Sequence, residues 1–555
     1  MTIRRPDVAR DVYSGLAALT AFLGPPAAAQ VVERHLPPAP ATAVPRLADT
    51  STPAEADDRP LGPLIAGIVL LGPDTPPVSA TGVRVAGVTP PRQVALVRTL
   101  AGLIGRPLSR KLVAEAAEIV TRAYRRAERP FVSVTTPPQN LTGGVIQLRV
   151  IEFVAGRLAV HARTPAAASE VESRIRFPPG RQIDARRLRQ DLGWIDRYPF
   201  RRVGAVFSAG TEPGTTDLTM NVVPSRPWQV FTGIASSDAP SSGDVRVHAG
   251  IVAGDLLGPG SLLSVQGTTS GFDHPRYWSV AGRLVAPLGP RREISVLVGH
   301  VKGRAALAPF ASRSETTEAA LGVRVALPPA LLGDAHFGIE AGHQRIGARF
   351  AGLPVYDVEA TTFAATAGYS VVTPISSGVL SADVALHASP GGLGRANEAD
   401  RLFFGRARSG SATYAYLTAD IAIERTIAAV LSWRGRAIVQ ASTAPLPGLE
   451  QVGIGGSVYT RGYTLDDGGY DSAIVLRNSL GSRTWKTAAY AFTDWSYARD
   501  KAARRTAKIG SVGIGVNSPI GSRARVVAEA ALPLLDGSRT TAMHPRLVVR
   551  ADLAF

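Results

Sequence analysis

The sequence of 555 residues contains no cysteine. This absence excludes a disulfide framework, a cysteine-ligated zinc site, an iron–sulfur cluster and a thiol nucleophile. Charged residues are also scarce, at 19%, whereas ordinary soluble proteins carry about 25%. Beyond the N-terminal segment there is no run of 18 apolar residues, so the sequence predicts no ordinary transmembrane helix.

Signatures of enzymes and metal sites are missing as well. The sequence has no GxxxxGK[ST], no HExxH and no G-x-S-x-G motif, and its nine histidines form no cluster with ligand spacing. The glycine-rich segment Gly453–Gly456 does not lead into a helix and therefore does not indicate a phosphate-binding loop. We expect neither an enzyme nor catalytic residues, and neither a metal nor a cofactor.

The first 29 residues are typical of a secretory signal peptide. Arg4, Arg5 and Arg10 precede the short apolar run Val12–Leu23, and small residues at Ala27–Ala29 offer a cleavage site. The net charge is +17 without a long block of Lys or Arg. Because export removes the chain from the cytosol, we expect no nucleic-acid partner.

Composition and periodicity divide the rest of the chain into four parts. Residues 30–76 are rich in Pro and Ala and are predicted to be a linker; it shows no convincing plug helix, and its apolar patch Ile65–Leu71 fits an edge strand without a firm assignment. Residues 77–152 predict the order strand, helix, helix, strand, strand, and residues 153–225 repeat it. Within the repeat, Asp184 is expected to cap a helix.

Residues 226–555 show short alternating runs that recur about every 20 residues. In the last run Leu547, Val549, Ala551, Leu553 and Phe555 share one face and charged residues the other. This pattern fits a transmembrane β-barrel with an apolar outer face, and less well a soluble β-sandwich. Sixteen strands are predicted, with starts near 228, 244, 260, 276, 292, 314, 336, 359, 377, 411, 428, 470, 485, 507, 522 and 545.

Several motifs resemble those of two-partner secretion transporters, the outer-membrane partners of haemolysins and filamentous adhesins. Residues 77–152 resemble the first POTRA domain of these transporters, and residues 153–225 resemble the second. The matching segments are Pro137–Glu152, Arg197–Val203, Glu212–Leu218, Tyr459–Tyr463, Asp466–Gly469, Leu476–Leu480 and Phe492–Ser496. Ser479 stands where the family usually has glutamate, and Ser496 where it usually has glycine.

The resemblance implies two periplasmic α+β POTRA domains followed by a sixteen-stranded antiparallel transmembrane barrel. It also implies a gating loop whose tip motif is Arg461, Gly462 and Tyr463. By the same resemblance, we expect this tip to fold into the lumen and Arg461 to meet Asp494 of the wall motif Phe492, Asp494 and Ser496. The alternation of side chains along a strand agrees with this placement. Phe492, Asp494 and Ser496 lie on one face of the predicted strand, and the opposite face carries Trp485, Ala489, Ala491 and Trp495.

The expected partners are a secreted exoprotein, outer-membrane lipids and the barrel-assembly machinery. The client is expected to bind in the periplasm, beside the predicted helix Asp184–Ile195, and Phe555 is expected to close the barrel and to signal its assembly. Candidate client-binding residues are Arg186, Arg189, Arg201 and Arg202. Two other functions remain open at this point: a POTRA-barrel factor that inserts other outer-membrane proteins, and a solute-diffusion porin.

Overall fold

The structure, a computed structural model, describes residues 57–307, 310–391, 413–482 and 488–555. The predicted signal peptide, most of the predicted linker and Trp485 lie outside these ranges. The chain divides into two compact units, an α+β unit that ends at Ser225 and a β-unit that runs from Arg226 to Phe555. Among the described residues no helix is long and apolar enough to span a membrane.

The first module of the α+β unit is a four-stranded sheet covered by two helices. Its elements are β1 (Gly67–Leu71), β2 (Gly82–Ala86), α1 (Gln93–Ala101), α2 (Arg110–Arg126), β3 (Val132–Thr135) and β4 (Val145–Glu152). The Ser109 side chain caps α2 by accepting a hydrogen bond from the Leu112 backbone N–H at 3.2 Å. One buried cluster joins the apolar faces of the helices to β1 and β4.

The position of β1 differs from the expectation of an edge strand within a linker. The sheet order is β2-β1-β4-β3, and β1 pairs in parallel with both β2 and β4. All five of its residues are buried. A strand that is covered on both faces and paired on both edges is apolar at every position, so it lacks the alternation that identifies a strand in a sequence.

The second module has a three-stranded sheet in the order β5-β7-β6. Its elements are β5 (Val154–His161), α3 (Pro165–Arg174), α4 (Ala185–Ile195), β6 (Arg201–Ala209) and β7 (Thr215–Pro224). Asp184 caps α4 by accepting hydrogen bonds from the backbone N–H groups of Arg186 and Arg187. Strand β6 lies at the edge of this sheet, and alternate residues along it are exposed.

The β-unit is a closed antiparallel barrel of sixteen strands, which confirms the predicted number. The strands of its first half are β8 (Trp228–Ser236), β9 (Val245–Gly254), β10 (Leu262–Thr269), β11 (Tyr277–Pro287), β12 (Arg292–Leu307), β13 (Phe310–Ala326), β14 (Asp334–Phe350) and β15 (Leu353–Ile375). The second half comprises β16 (Gly378–Ser389), β17 (Tyr414–Ala428), β18 (Leu431–Ser442), β21 (Ser472–Ser482), β22 (Ala488–Asp500), β23 (Arg505–Ile520), β24 (Ala524–Pro533) and β25 (Arg546–Ala554).

Closure occurs between the last strand and the first. Strand β25 pairs with β8, and the backbone N–H of Phe555 donates to the Val230 carbonyl at 2.8 Å. Closing the sheet removes the open edge that hydrocarbon would not tolerate. Apolar side chains on the outer face are exposed, for example Leu547 at 66% and Ile514 at 67%. An outer face of this kind is suited to contact with acyl chains.

Candidate functional site

The long segment between β18 and β21, residues 443–471, folds back into the lumen of the barrel. A two-residue ladder, β19 (Val452–Gly453) with β20 (Gly469–Tyr470), joins the two arms of this inward loop. The loop packs against inward-facing wall residues in a buried cluster that includes Ile454, Tyr463, Val475 and Ile509. The cluster gives the loop a hydrophobic core of its own.

Arg461, at the tip of the inward loop, forms a bidentate ion pair with Asp494 of β22. Arg461 Nε and Nη2 donate to the two Asp494 carboxylate oxygens at 2.7 Å each, and the Arg461 backbone N–H donates to the same carboxylate at 3.1 Å. The Asp494 side chain is fully buried and that of Arg461 is 5% exposed. The guanidinium also lies 3.7 Å from the centre of the Phe492 ring, a cation–π contact.

A second carboxylate, Glu529 of β24, holds the other side of the same guanidinium. Arg461 Nη1 donates to Glu529 Oε1 at 3.1 Å, and the Tyr490 hydroxyl donates to the same oxygen at 2.8 Å. Arg461 Nη2 reaches Ser479 Oγ at 3.3 Å. Burial alone would lower the pKa of Arg461, but the two carboxylates raise it above its ordinary value, so the loop tip keeps its positive charge.

The neighbours of Arg461 fix the geometry of the loop tip. Gly462 has φ +89°, and a Cβ there would lie 3.0 Å from the Ala531 Cβ, so a side chain is disfavoured by both conformation and space. The Tyr463 hydroxyl donates to the Leu535 carbonyl at 2.7 Å. The hydroxyls of Thr460 and Ser496 are hydrogen-bonded to each other, so the serine at the usual glycine position contacts the loop.

Aspartates tie the loop to two extracellular connections of the barrel. Asp467 accepts hydrogen bonds from the backbone N–H groups of Arg539 and Thr540 at 2.8 and 3.0 Å, in the β24–β25 connection. Asp238, in the β8–β9 connection, accepts from the Ser457 backbone N–H at 2.9 Å. These bonds hold the tip against the part of the wall where the barrel closes.

The base of the loop docks on other strands of the wall. Glu450 accepts hydrogen bonds from the hydroxyls of Tyr414 and Tyr416 of β17, at 2.9 and 2.6 Å. The His387 ring stacks on Tyr416 with centroids 4.6 Å apart and contacts Glu340 at 3.0 Å. Burial and the negative charge of Glu340 raise the pKa of Glu450, against the lowering effect of the tyrosine hydrogen bonds.

Two residues that join the inward loop to the wall, Glu529 and Glu450, were not predicted from the sequence. In the sequence, Arg523, Arg525 and Glu529 alternate with apolar residues, which predicts that Glu529 faces the lumen. Nothing in the sequence pairs it with the distant Arg461. Glu450 gave no signal, because its partners Tyr414 and Tyr416 lie on another strand. Among the described residues no group of three or more His, Asp or Glu side chains is arranged to hold a metal ion.

The four arginines named for client binding have different surroundings. Arg201 is buried, pairs with Glu170 and lies 5.2 Å from the Tyr198 ring, so it stabilises the second module rather than facing a partner. Arg189 pairs with Glu128 at 2.6 Å, an intramolecular contact between the two modules. Arg186 is half-buried, and Arg202 is exposed at the start of β6.

One comparison assigns a family, and another finds solved structures that share the fold. Residues 214–518, more than half of the chain, match the family described as haemolysin secretion/activation protein ShlB/FhaC/HecB. Among solved structures, CdiB from Escherichia coli aligns over 100% of both chains with TM-score 0.63 and 16% identity. CdiB from Acinetobacter baumannii aligns over 100% of both chains with TM-score 0.57 and 12% identity. No curated protein matches significantly.

The structural likenesses support the fold, and the family match supplies the function. The closed barrel, the inward loop and the family match together identify an outer-membrane protein that carries a partner exoprotein to the cell surface. The chain belongs to the haemolysin secretion/activation protein family ShlB/FhaC/HecB, the two-partner secretion transporters.

Proposed function

We propose that the Arg461–Asp494 pair is the latch of a gate in this transporter. The loop that carries Arg461 lies within the lumen through which a client must pass, and one buried guanidinium joins it to β22 and β24. The observation that supports the latch is the burial of Arg461 between two carboxylates. Burial of an ion pair adds little net stability, but removing one partner costs roughly 3–5 kcal/mol. Such a contact is suited to holding the loop in one defined position or to switching it between two positions.

We further propose that the two modules of the α+β unit, residues 77–152 and 153–225, with β1 added to the first, are POTRA domains that receive the client in the periplasm. Strand β6 is an open sheet edge with an exposed Val206 and an exposed Arg202. An extended client segment can add to such an edge through backbone hydrogen bonds. Arg186 and Arg202 remain the proposed basic contacts of this surface. Arg189 and Arg201 are excluded because they are already paired with Glu128 and Glu170.

Site-specific crosslinking tests the receptor surface, because an introduced cysteine would be the only thiol in the sequence. Ser208→Cys places a thiol on the exposed edge strand, and Ser173→Cys places one on the exposed part of α3. A thiol-reactive client secretion domain should crosslink to position 208 and not to position 173. Equal crosslinking at both positions would reject the edge-strand surface.

Other proposed roles concern biogenesis. Phe555 ends the closing strand with an exposed aromatic ring, and we propose that the barrel-assembly machinery reads this residue. Outer-membrane lipids are the proposed partners of the apolar outer face.

A secretion assay tests the transporter function as a whole. The product of an adjacent gene for a large exoprotein should be found outside wild-type cells and should remain in the periplasm of cells that lack this chain. Release of that product without the chain would contradict the proposal.

A further inference from the structure

The outer face of β12–β15 changes character toward the extracellular rim. These strands have 16 to 23 residues, while the other barrel strands in the first half have 8 to 11. Chain order makes β8 ascend from the periplasm, so the C-terminal end of β12 is extracellular. An apolar outward row joins Val298, Ala319, Ala341 and Phe363 in register. The apolar belt ends at this row, because the rows above it are polar.

Four residues further up, above a row of histidines and threonines, the outward row contains charges of alternating sign. Lys302, Glu315, Arg345 and Glu359 face one another in register across the four strands. Lys302 pairs with Glu315 at 3.0 Å, and Arg345 pairs with Glu359 at 3.4 Å. Trp278 of β11 is the cross-strand neighbour of Lys302 and is partly exposed. Tryptophan is enriched where a barrel meets the membrane surface, so this row marks the outer interface.

The next row up is different, because three arginines lie side by side: Arg304 on β12, Arg313 on β13 and Arg276 directly before β11. Arg304 is opposite Arg313, and its backbone N–H donates to the Arg276 carbonyl at 2.7 Å. All three side chains are exposed. Neighbouring strands lie about 4.8 Å apart, and like charges placed directly opposite one another destabilise a sheet. In this row Arg313 pairs with Glu315 of the row below at 3.5 Å. The row continues through Gly347 to Asp357, whose carboxylate pairs with Arg345 of the row below at 2.7 Å.

We propose that this arginine row, Arg276, Arg304 and Arg313, binds the phosphate groups of a glycolipid in the outer leaflet. An anion between adjacent guanidinium groups would relieve their repulsion. Planar guanidinium forks also match phosphate oxygens in a bidentate manner. The row faces outward just above the interfacial tryptophan, at the depth of a lipid headgroup rather than in the lumen. In the row below, two positive and two negative side chains balance one another, so that row has no excess of positive charge.

Binding of a defined lipid to the purified full chain tests this site. The probe is bisphosphorylated lipid A added to the detergent-solubilised protein, with dephosphorylated lipid A as its chemical control and native mass spectrometry as the readout. We expect the wild type to retain the phosphorylated form at least about tenfold better, because only this form can accept charge-assisted hydrogen bonds from the guanidinium groups. Equal retention of the two lipids would overturn the proposal.

A triple variant tests whether the arginine row causes the preference for phosphorylated lipid A. Arg276→Ser, Arg304→Ser and Arg313→Ser together should remove the discrimination between the two lipids. The matched control carries Arg292→Ser, Arg425→Ser and Arg523→Ser, which remove the same charge from exposed positions at the periplasmic rim and should leave discrimination intact. Discrimination that survives the first triple variant, or that is lost in the control, would reject the site.

Inorganic phosphate at the lipid's concentration distinguishes a lipid site from a site for the free anion. It should not displace the glycolipid, because a free anion lacks the acyl chains that contact the apolar rows below. Complete displacement by inorganic phosphate would overturn the assignment to lipid.

Discussion

The inward loop is attached to the barrel wall at two places by different chemistry. At the tip, a guanidinium is buried between Asp494 and Glu529 and retains its charge. At the base, the carboxylate of Glu450 is buried among tyrosine hydroxyls and its pKa is raised. The guanidinium at the tip therefore keeps its charge, whereas the base is an attachment that a proton strengthens.

This difference separates two kinds of control over one loop. Breaking the tip contact leaves a buried charge without its partner, which is costly. Protonating the base removes the penalty for a buried negative charge. Opening of the proposed gate would require the tip contact to break, while the base would adjust how readily the loop leaves the wall.

The largest effect is expected from Asp494→Ala. Without this carboxylate the buried Arg461 keeps only Glu529, and docking of the loop should weaken by roughly 3–5 kcal/mol. The barrel should still insert, but secretion of the partner should fall more than about tenfold because the loop no longer returns to a defined position. Secretion and heat-modifiable migration, measured together, separate loss of function from loss of folding.

Thr493→Ala is the matched control for this change, since residue 493 lies on the same strand with the opposite parity. It should secrete at the wild-type level. Normal secretion by Asp494→Ala would contradict the latch.

A smaller effect is expected from Arg461→Lys. Lysine keeps the positive charge but loses the planar fork that reaches both carboxylates at once. Secretion should fall several-fold, and the pore should open more often in planar bilayers. A conductance trace identical to that of the wild type would show that charge alone, without the fork, holds the tip.

Glu529→Gln should have a more modest effect, because Asp494 keeps its two hydrogen bonds to Arg461. We expect secretion to fall about two- to fivefold, in line with roughly 0.5–1 kcal/mol. Adding Ser479→Glu to this variant should restore secretion, since Ser479 Oγ already lies 3.3 Å from Arg461 Nη2. No rescue by the second change would show that the position of Glu529, and not its charge alone, is required.

The smallest effect is expected from Glu450→Gln, and it has the opposite direction: the pore should open less often, not more often. The docked loop raises the pKa of Glu450 above its ordinary value of 4.5, so docking is most favourable below that value and weakens as pH rises through the raised value. Wild-type pores should therefore open more often as pH rises through this window. The glutamine variant should show fewer openings at neutral pH and a flat pH profile, and an unchanged profile would exclude Glu450 as the titrating group.

Alternation made the barrel predictable. Each predicted strand start lies within six residues of the observed one, because one face of every strand meets lipid and the other meets the lumen. The same rule failed at β1, where both faces are covered. Its five apolar residues lie next to a Pro-rich segment, and only the parallel pairing with β2 and β4 reveals them as an inner strand of a sheet.

Part of the candidate site was accessible from the sequence. The resemblance named Arg461 and Asp494, and parity placed Asp494 on the lumen face. Glu529 and Glu450 were beyond reach because their contacts depend on how the loop folds into a closed barrel. Glu529, for example, lies 68 residues from Arg461 along the chain. The burial of Arg201 beside Glu170 was equally invisible in a cluster of arginines.

A reversible disulfide tests the latch most directly, because the sequence has no other thiol to interfere. Thr460→Cys with Ser496→Cys places two thiols where the hydroxyls now touch, and each single variant is the control. With the disulfide formed, secretion should stop, and a reductant should restore it in the same cells. Normal secretion with the disulfide fully formed would show that the loop tip need not leave the wall, and would contradict the account.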